Sequence, residues 1–219
     1  MKQEEYIAVF DGEGRKVGIK TRDQAHRDGD WHWLVFVWVA YVDKEGVARL
    51  LLQVRARPGD PFAGNIDAPA GGHVIAEEGH RQGAMREFEE EVGVRLAEEA
   101  LIYLGNRPLE SESWACRRAI QHFYLYPRFI RLEETRFNEE VSGFLEIGLE
   151  DLTALLEGDV QRITGLARLA TAPDEIGELE VLQASLDSYG EAILAVFRRS
   201  MQAIRAYVRD GRVDASVWE

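Results

Sequence analysis

Residues 72–94 read GHVIAEEGHRQGAMREFEEEVGV, and three carboxylates in that run decide how the chain is read. An α-helix turns about 100° per residue, so Glu87, Glu90 and Glu91 fall within about 100° of arc on one face. Glu87 faces the other two at i+3 and i+4, where like charges repel by about 0.2–0.5 kcal/mol per pair. Two readings account for a helix that carries this repulsion: an acidic face turned to water, or a face that holds a cation. Three oxygen donors on one side suit a hard divalent ion such as Mg²⁺ or Mn²⁺. The neighbours favour the cation. Ala84, Met85, Phe88 and Val92 form an apolar arc that would dock the helix on a core and fix the angle of its acid face. Gly83 and Ala84, one turn earlier, carry almost no side chain and are expected to leave room for a ligand. Gly93 supplies a helix terminator, and Gly71-Gly72 frees the backbone to approach a ligand closely.

Bulk properties narrow the class. With 219 residues and 46% hydrophobic content, the chain is long enough for one domain of ample core plus an appendage. Its net charge of −13 argues against nucleic-acid or anionic-membrane binding, which needs a basic stripe. Small phosphorylated substrates remain compatible, because a bound cation inverts the local field. The single Cys116 excludes an intramolecular disulfide and fits a reducing cytoplasm. No signal-peptide pattern opens the chain, and no 18-residue apolar run is present to cross a membrane.

Working outward, residues 6–10 and 16–21 read as short strands joined by the DGEGR turn at 11–15. Residues 31–42 are apolar and aromatic with many β-branched members, as in a buried strand. The DKEG turn at 43–46 returns the chain into a strand over 48–54, and the Pro- and Gly-rich stretch 57–64 reads as a loop. The acidic helix is expected over 79–92. Strands are expected at 101–105, 119–126 and 144–147, and a helix at 149–157. Residues 185–209 read as one long amphipathic helix, with Leu186, Tyr189, Ile193, Val196, Phe197, Met201, Ile204 and Val208 spaced three or four apart. Its stripe is either core or a homodimer contact. The tail, ending in Val217-Trp218, either docks a partner or frays.

The run resembles the Nudix box, G-x5-E-x7-R-E-U-x-E-E-x-G-U with U an apolar residue. Gly72, Glu78, Arg86, Glu87, Phe88, Glu90, Glu91, Gly93 and Val94 fill its nine defined positions in order. The resemblance implies an α/β (α+β) Nudix fold, a mixed sheet sandwiched between helices. It also implies metal-dependent hydrolysis of a diphosphate linked to some moiety, using Mg²⁺ or Mn²⁺. By the same resemblance Glu87, Glu90 and Glu91 bind the metal, one of Glu90 or Glu91 doubling as the base, and the Gly71 carbonyl is a further ligand. Arg86 is expected to orient a box carboxylate such as Glu87. Glu78 is either a ligand or a brace for the helix start. Glu139 and Glu140 are candidates for a distant catalytic carboxylate or are solvated loop charges. Arg55 and Arg57 either meet substrate phosphates or serve edge-strand solubility.

A narrower resemblance covers roughly residues 5–150, from VFDGEGRKVGIKTRDQAHRDGDWHW through LLLQVRARPGDPFAG to the box. These stretches are similar to the isopentenyl-diphosphate-isomerase-like branch of the superfamily. Isomerases of that branch use a cysteine just before the box, a glutamate in a later strand and a metal held largely by histidines. Aligned through His73, the cysteine position falls on Gly71, and the later strand reads AIQHFYLY without glutamates. His26, His32 and His73 do stand near the metal-ligand positions. Trp31, Trp33, Trp38 and Trp114 are either a stacking surface for an aromatic moiety or strand packing.

The expectation is therefore a Nudix hydrolase domain over residues 1–157 and a C-terminal helical extension over 158–219, packed on the domain or at a dimer interface. It would cleave a small diphosphate, a nucleoside diphosphate or a related compound. The alternatives are an isopentenyl-diphosphate isomerase and a non-catalytic Nudix-like nucleotide sensor, against which the full set of box glutamates speaks.

Overall fold

A computed structural model describes residues 4–56, 62–111, 118–136, 138, 140–172, 175–186 and 189–218. Strands β1 (Tyr6–Phe10) and β2 (Lys16–Thr21) form a separate antiparallel hairpin. Helix α1 (Arg22–Asp28) follows at once. Its start is set by a reciprocal cap: the Thr21 hydroxyl accepts from the Gln24 N–H while the Gln24 side chain accepts from the Thr21 N–H. Gly29, at φ 72°, ends it. This short helix was not foreseen from the sequence, because seven residues with Ala25 alone buried carry no apolar stripe.

The main sheet is built on β3 (His32–Val42) and β4 (Ala48–Arg55). Side chains alternate across β3: Val35, Val37 and Val39 enter one core, Trp38 and Ala40 the other. β3 and β4 pair only from Val39 to Val42. Beyond that point they part and take other partners. β4 pairs with β5 (Ile66–Asp67) and β3 with β6 (Ala70–His73), in the register Val35↔Gly72 and Phe36↔Gly71. The gap between two splayed strands thus receives the diglycine that precedes helix α2 (His80–Val92).

The remaining strands are β7 (Ile102–Glu110), β8 (Arg118–Tyr126), β9 (Val141–Gly148), β10 (Ile163–Ala172) and β11 (Glu175–Ala184), with α3 (Leu149–Glu157) after β9 and α4 (Glu191–Asp210) after β11. The sheet runs β11-β10-β9-β4-β3-β8-β7. It is mixed, because β3 and β8 are parallel while the other described pairs are antiparallel. One face packs on α2 through Ala84, Phe88 and Val92, and the other on α3 and α4 through Leu152, Phe197, Met201 and Ile204. This is the expected α+β sandwich.

The region after residue 158 departs from expectation. Residues 163–172 and 175–184 are not helical but pair as β10 and β11, and β10 extends the main sheet by pairing with β9. Helix α4 begins at Glu191, six residues later than the expected start at 185. Leu186 and Tyr189 have helical spacing and are buried in the same core as α4, but they lie in a turn closed by Tyr189 N–H to Leu186 O at 3.0 Å. Burial periodicity alone cannot tell such a turn from a helix. The α4 stripe is spent inside the chain's own core.

The tail does not fray. Trp218 is buried, stacks on Phe123 with ring centres 4.1 Å apart, and donates its indole N–H to Leu104 O at 2.8 Å. Gly105, at φ 136°, makes room: a Cβ there would overlap the indole. Trp218→Ala should therefore cost about 3–5 kcal/mol, the usual loss for a buried large aromatic, read from urea unfolding. A loss under about 1 kcal/mol would mean that the tail contributes little to the core.

Candidate active site

The box carboxylates are held by strand β6 and helix α2 facing one another. Gly72 has no side chain because Glu87 occupies the space: a Cβ there would overlap the Glu87 carboxylate. Glu91 is buried, and its Oε2 accepts from the Gly71 N–H and from the Gln53 amide, each at 3.2 Å. Gln53 also donates to Ala68 O at 2.7 Å, so its orientation is fixed from two sides. Glu90 is different. Its side chain is 54% exposed and meets Arg86 at 3.2 Å.

Arg86 binds this half of the site together. It donates to Glu78 at 2.7 Å, to Glu87 at 2.8 Å, to Glu90 at 3.2 Å and to the His73 carbonyl at 2.8 Å. Glu78 also accepts from the Ile75 N–H at 2.9 Å, so it braces the loop ahead of α2. That corrects the expected clearance at Gly83. A Cβ on Gly83 would come within 3.0 Å of Glu78 and 3.1 Å of Val74. The space is filled by the Glu78 carboxylate, and Ala84 is sealed in the core.

Burial sets the electrostatics. Desolvation pushes the Glu87 carboxyl up to about 7, against the opposing pull of the Arg86 charge. Burial also holds Glu91 well above the usual carboxylate range, with the charges on Glu87, Glu140 and Asp67 adding to it and the Gly71 N–H opposing. Two carboxyls that share a dry corner and resist ionising together are a donor set that a divalent cation fits, since its charge removes both penalties. Of the two, Glu87 opens on a cleft of about 200 Å³ whose other walls include Glu5, Arg22, Phe36, Gly71, His73 and Glu140.

Beyond His73 the cleft meets an imidazole cluster. The ligand atoms of His26, His32 and His73 lie within 4.8 Å of one another. His26 Nε2 and His73 Nε2 are 2.9 Å apart, and the His32 Nδ1–H donates to Asp30 O at 3.0 Å. Burial, and then the neighbouring His32 and Arg22, depress His26 to about 4, so it is neutral near pH 7. Neutral imidazoles at this spacing are also a metal-donor set.

Of the other expected residues, Glu140 reaches the cleft. Arg55 pairs with Asp67 at 2.7 Å, lining a neighbouring cavity instead. Arg57, Glu139, Trp114 and Cys116 lie outside the described residues. Trp33 stacks on Phe10 and abuts His80 and His122, while Trp38 packs against Phe197. Gln53, Arg22 and Phe36 were not singled out from the sequence. Gln53 left a signal: it is the one uncharged polar residue in the strand ARLLLQVR, and a buried amide demands partners.

Comparisons with known proteins place the chain in a family. The NUDIX domain family matches residues 32–167, and the chain belongs to that family. An uncharacterized Nudix hydrolase of Clostridium acetobutylicum is 29% identical over 167 residues, 74% of this chain and 78% of its own length. Nudix hydrolase 3 of Arabidopsis thaliana is 40% identical over 98 residues, 44% of this chain and 12% of that longer protein. A crystal structure from Deinococcus radiodurans aligns over 70% of this chain and 90% of its own with a TM-score of 0.49 and 21% identity. Among the described residues, no helix is long and apolar enough to cross a membrane.

The raised carboxyls have a measurable consequence. Glu87 binds its proton more tightly folded than unfolded, so its contribution to stability is present below about pH 4.5 and is lost as pH rises to about 7. His26 acts in the opposite sense, since its depressed value makes stability rise with pH between about 4 and 6.5. Comparison with Glu87→Gln isolates the carboxyl: in chelator, the wild-type melting temperature should fall relative to the variant across pH 4.5–7. Millimolar Mg²⁺ should erase the difference. Parallel profiles in chelator would mean that Glu87 titrates as an ordinary carboxylate.

Proposed function

We propose that this chain hydrolyses the diphosphate linkage of a small phosphorylated compound, with Mg²⁺ or Mn²⁺ as cofactor. The observation that carries the reading is the burial of Glu87 and Glu91 on one helix against Gly71-Gly72, with Glu87 facing a cleft. Hydrolysis needs a water to attack one phosphorus while negative charge gathers on the leaving oxygens. A divalent cation, when bound, supplies stabilisation for that charge. The chain's own residues do the rest. Glu87 and Glu91 would hold the ion, with the Gly71 carbonyl as a further donor. Glu90 is a third donor or the group that orients and deprotonates the water. Arg86 fixes Glu87 and the strand before it, and so is a positioning residue. Arg22 and Glu140 line the same cleft; Arg22 offers a cation to a phosphate and Glu140 a further carboxylate.

The imidazole cluster favours a second reading, an isomerase acting on isopentenyl diphosphate with a histidine-held metal. Gly71 speaks against it. No thiol is available at that position, and a side chain there would press within 2.9 Å of the Phe36 ring and 3.1 Å of Val35 O.

Incubating the protein with Mg²⁺ and a broad panel of diphosphates, and measuring released phosphate, separates the readings. Turnover should fall by about 10²–10⁴-fold in Glu91→Gln, the range of a lost catalytic group, with circular dichroism unchanged. If one compound binds tightly and none is cleaved, the protein is a sensor. Conversion of isopentenyl to dimethylallyl diphosphate would make it an isomerase.

A further inference from the structure

Beside the turn at 43–46, on the sheet face that also carries α2, lies a cavity of about 670 Å³ with no α2 residue in its walls. Pockets that take small molecules span about 300–1,000 Å³. One row of side chains crosses this face in register: Val39 on β3, Leu51 on β4, Glu146 on β9, Leu166 on β10 and Val181 on β11. Val39 and Leu51 are buried, whereas Leu166 is 42% and Val181 72% exposed. Glu146 is the one charged member, at a position where its neighbours would pack an apolar side chain. On the opposite face the flanking Leu145 and Ala167 are sealed in the core.

The Glu146 carboxylate is not neutralised. Its Oε2 accepts from the Tyr41 hydroxyl at 2.5 Å, and its Oε1 takes no hydrogen bond among the described residues. Burial, and then that same bond, hold the Tyr41 hydroxyl above its ordinary value, so it stays an uncharged donor. The cations of the rim have carboxylates of their own: Arg49 meets Asp43 at 2.8 Å, Lys44 meets Glu45 at 3.5 Å and Arg131 meets Glu134 at 4.0 Å. Beside Glu146 the Tyr41 ring meets the Phe129 ring, centres 4.9 Å apart at 58°, and Phe129 is 54% exposed in the cavity wall. Leu132, Leu166 and Leu179 complete an apolar floor.

These features select among ligands. A hard metal ion needs more oxygen donors than one free carboxylate atom supplies. An anion would meet Glu146 directly. A cation on an apolar body answers every wall: its N–H groups reach the open oxygen, its charge lies against ring faces, which attract cations within about 6 Å, and its body covers the leucines. We propose that this cavity binds a small organic cation, an ammonium or guanidinium carried on an apolar body, with Glu146 as counter-ion and Tyr41 and Phe129 as ring walls. The cavity shares no lining residue with the cleft at Glu87. Its test is binding alone, so it does not rest on the hydrolase reading.

Calorimetric titration of the full chain with phenethylamine, phenethyl alcohol and phenylacetate compares a cation, a neutral molecule and an anion of one shape. The amine should bind about tenfold or more tighter than the alcohol, as a charge-assisted hydrogen bond requires, and phenylacetate weakest. Glu146→Gln keeps the shape and the acceptor for Tyr41 while removing the charge. It should weaken the amine about tenfold and leave the alcohol unchanged. Phe129→Leu, at an exposed ring, should weaken the amine about two- to fivefold. Equal binding of amine and alcohol, amine affinity untouched in Glu146→Gln, or no amine binding at millimolar concentration would each overturn the site. A short alanine peptide with one central lysine that binds tenfold tighter than phenethylamine would assign the cavity to a protein partner, and the small-molecule site would fall. Should Glu146→Gln fail to fold, Phe129→Leu carries the comparison, because loss of the ring must narrow the preference for amine over alcohol.

Discussion

The Arg86 guanidinium is the interaction on which the site's arrangement depends. It sits where the strand before α2, the loop after that strand and the acidic face of the helix meet, and it donates to a group on each. Burial opposes its charge, but the surrounding Glu78 and Glu87 carboxylates more than compensate, so it stays protonated. A lysine could not do the same work. Its point charge lacks the planar fork that reaches two carboxylates and a carbonyl at once. With Arg86 in place, Glu87 lies against Gly72 and faces a cleft that Glu5 and Glu140 also line.

Much of this was legible in the sequence, and the reasons are physical. The acidic helix was readable because its apolar arc and its glutamates repeat at the helical period, and its end because Gly93 adopts φ 81°, which favours glycine. The strands β3, β4, β8 and β9 were readable because buried strands concentrate β-branched and aromatic residues. What could not be read was pairing. Nothing local announces that β3 abandons β4 after Val39 to take up β6, although that parting is what seats the diglycine against the helix. The same limit hid the β10–β11 hairpin, whose exposed Leu166, Leu179 and Val181 blur the alternation that marks a half-buried strand.

The candidate site divides along the same line. Glu87 and Glu91 could be placed by helical period, and Arg86 through the box it belongs to. Their supports could not. Gln53 holds Glu91 from 38 residues away, and Glu78 fills a space that sequence reading assigned to a ligand. The histidines are the converse case. His26, His32 and His73 lie in three separate elements and have no common period, yet the fold gathers them beside the carboxylates. Two kinds of donor, oxygen and nitrogen, thereby face one cleft from opposite sides of His73.

The alternation of β3 has a consequence for how such a protein can diversify. Its odd-numbered side chains from Val35 to Val39 pack under the acidic helix α2, while Phe36 and Trp38 turn to the neighbouring cavity that α4 helps to line. Phe36 also lines the cleft that Glu87 faces, so one ring on the even side joins the two spaces. A change at that ring would be felt in both spaces, whereas a change at Trp38 reaches the cavity alone.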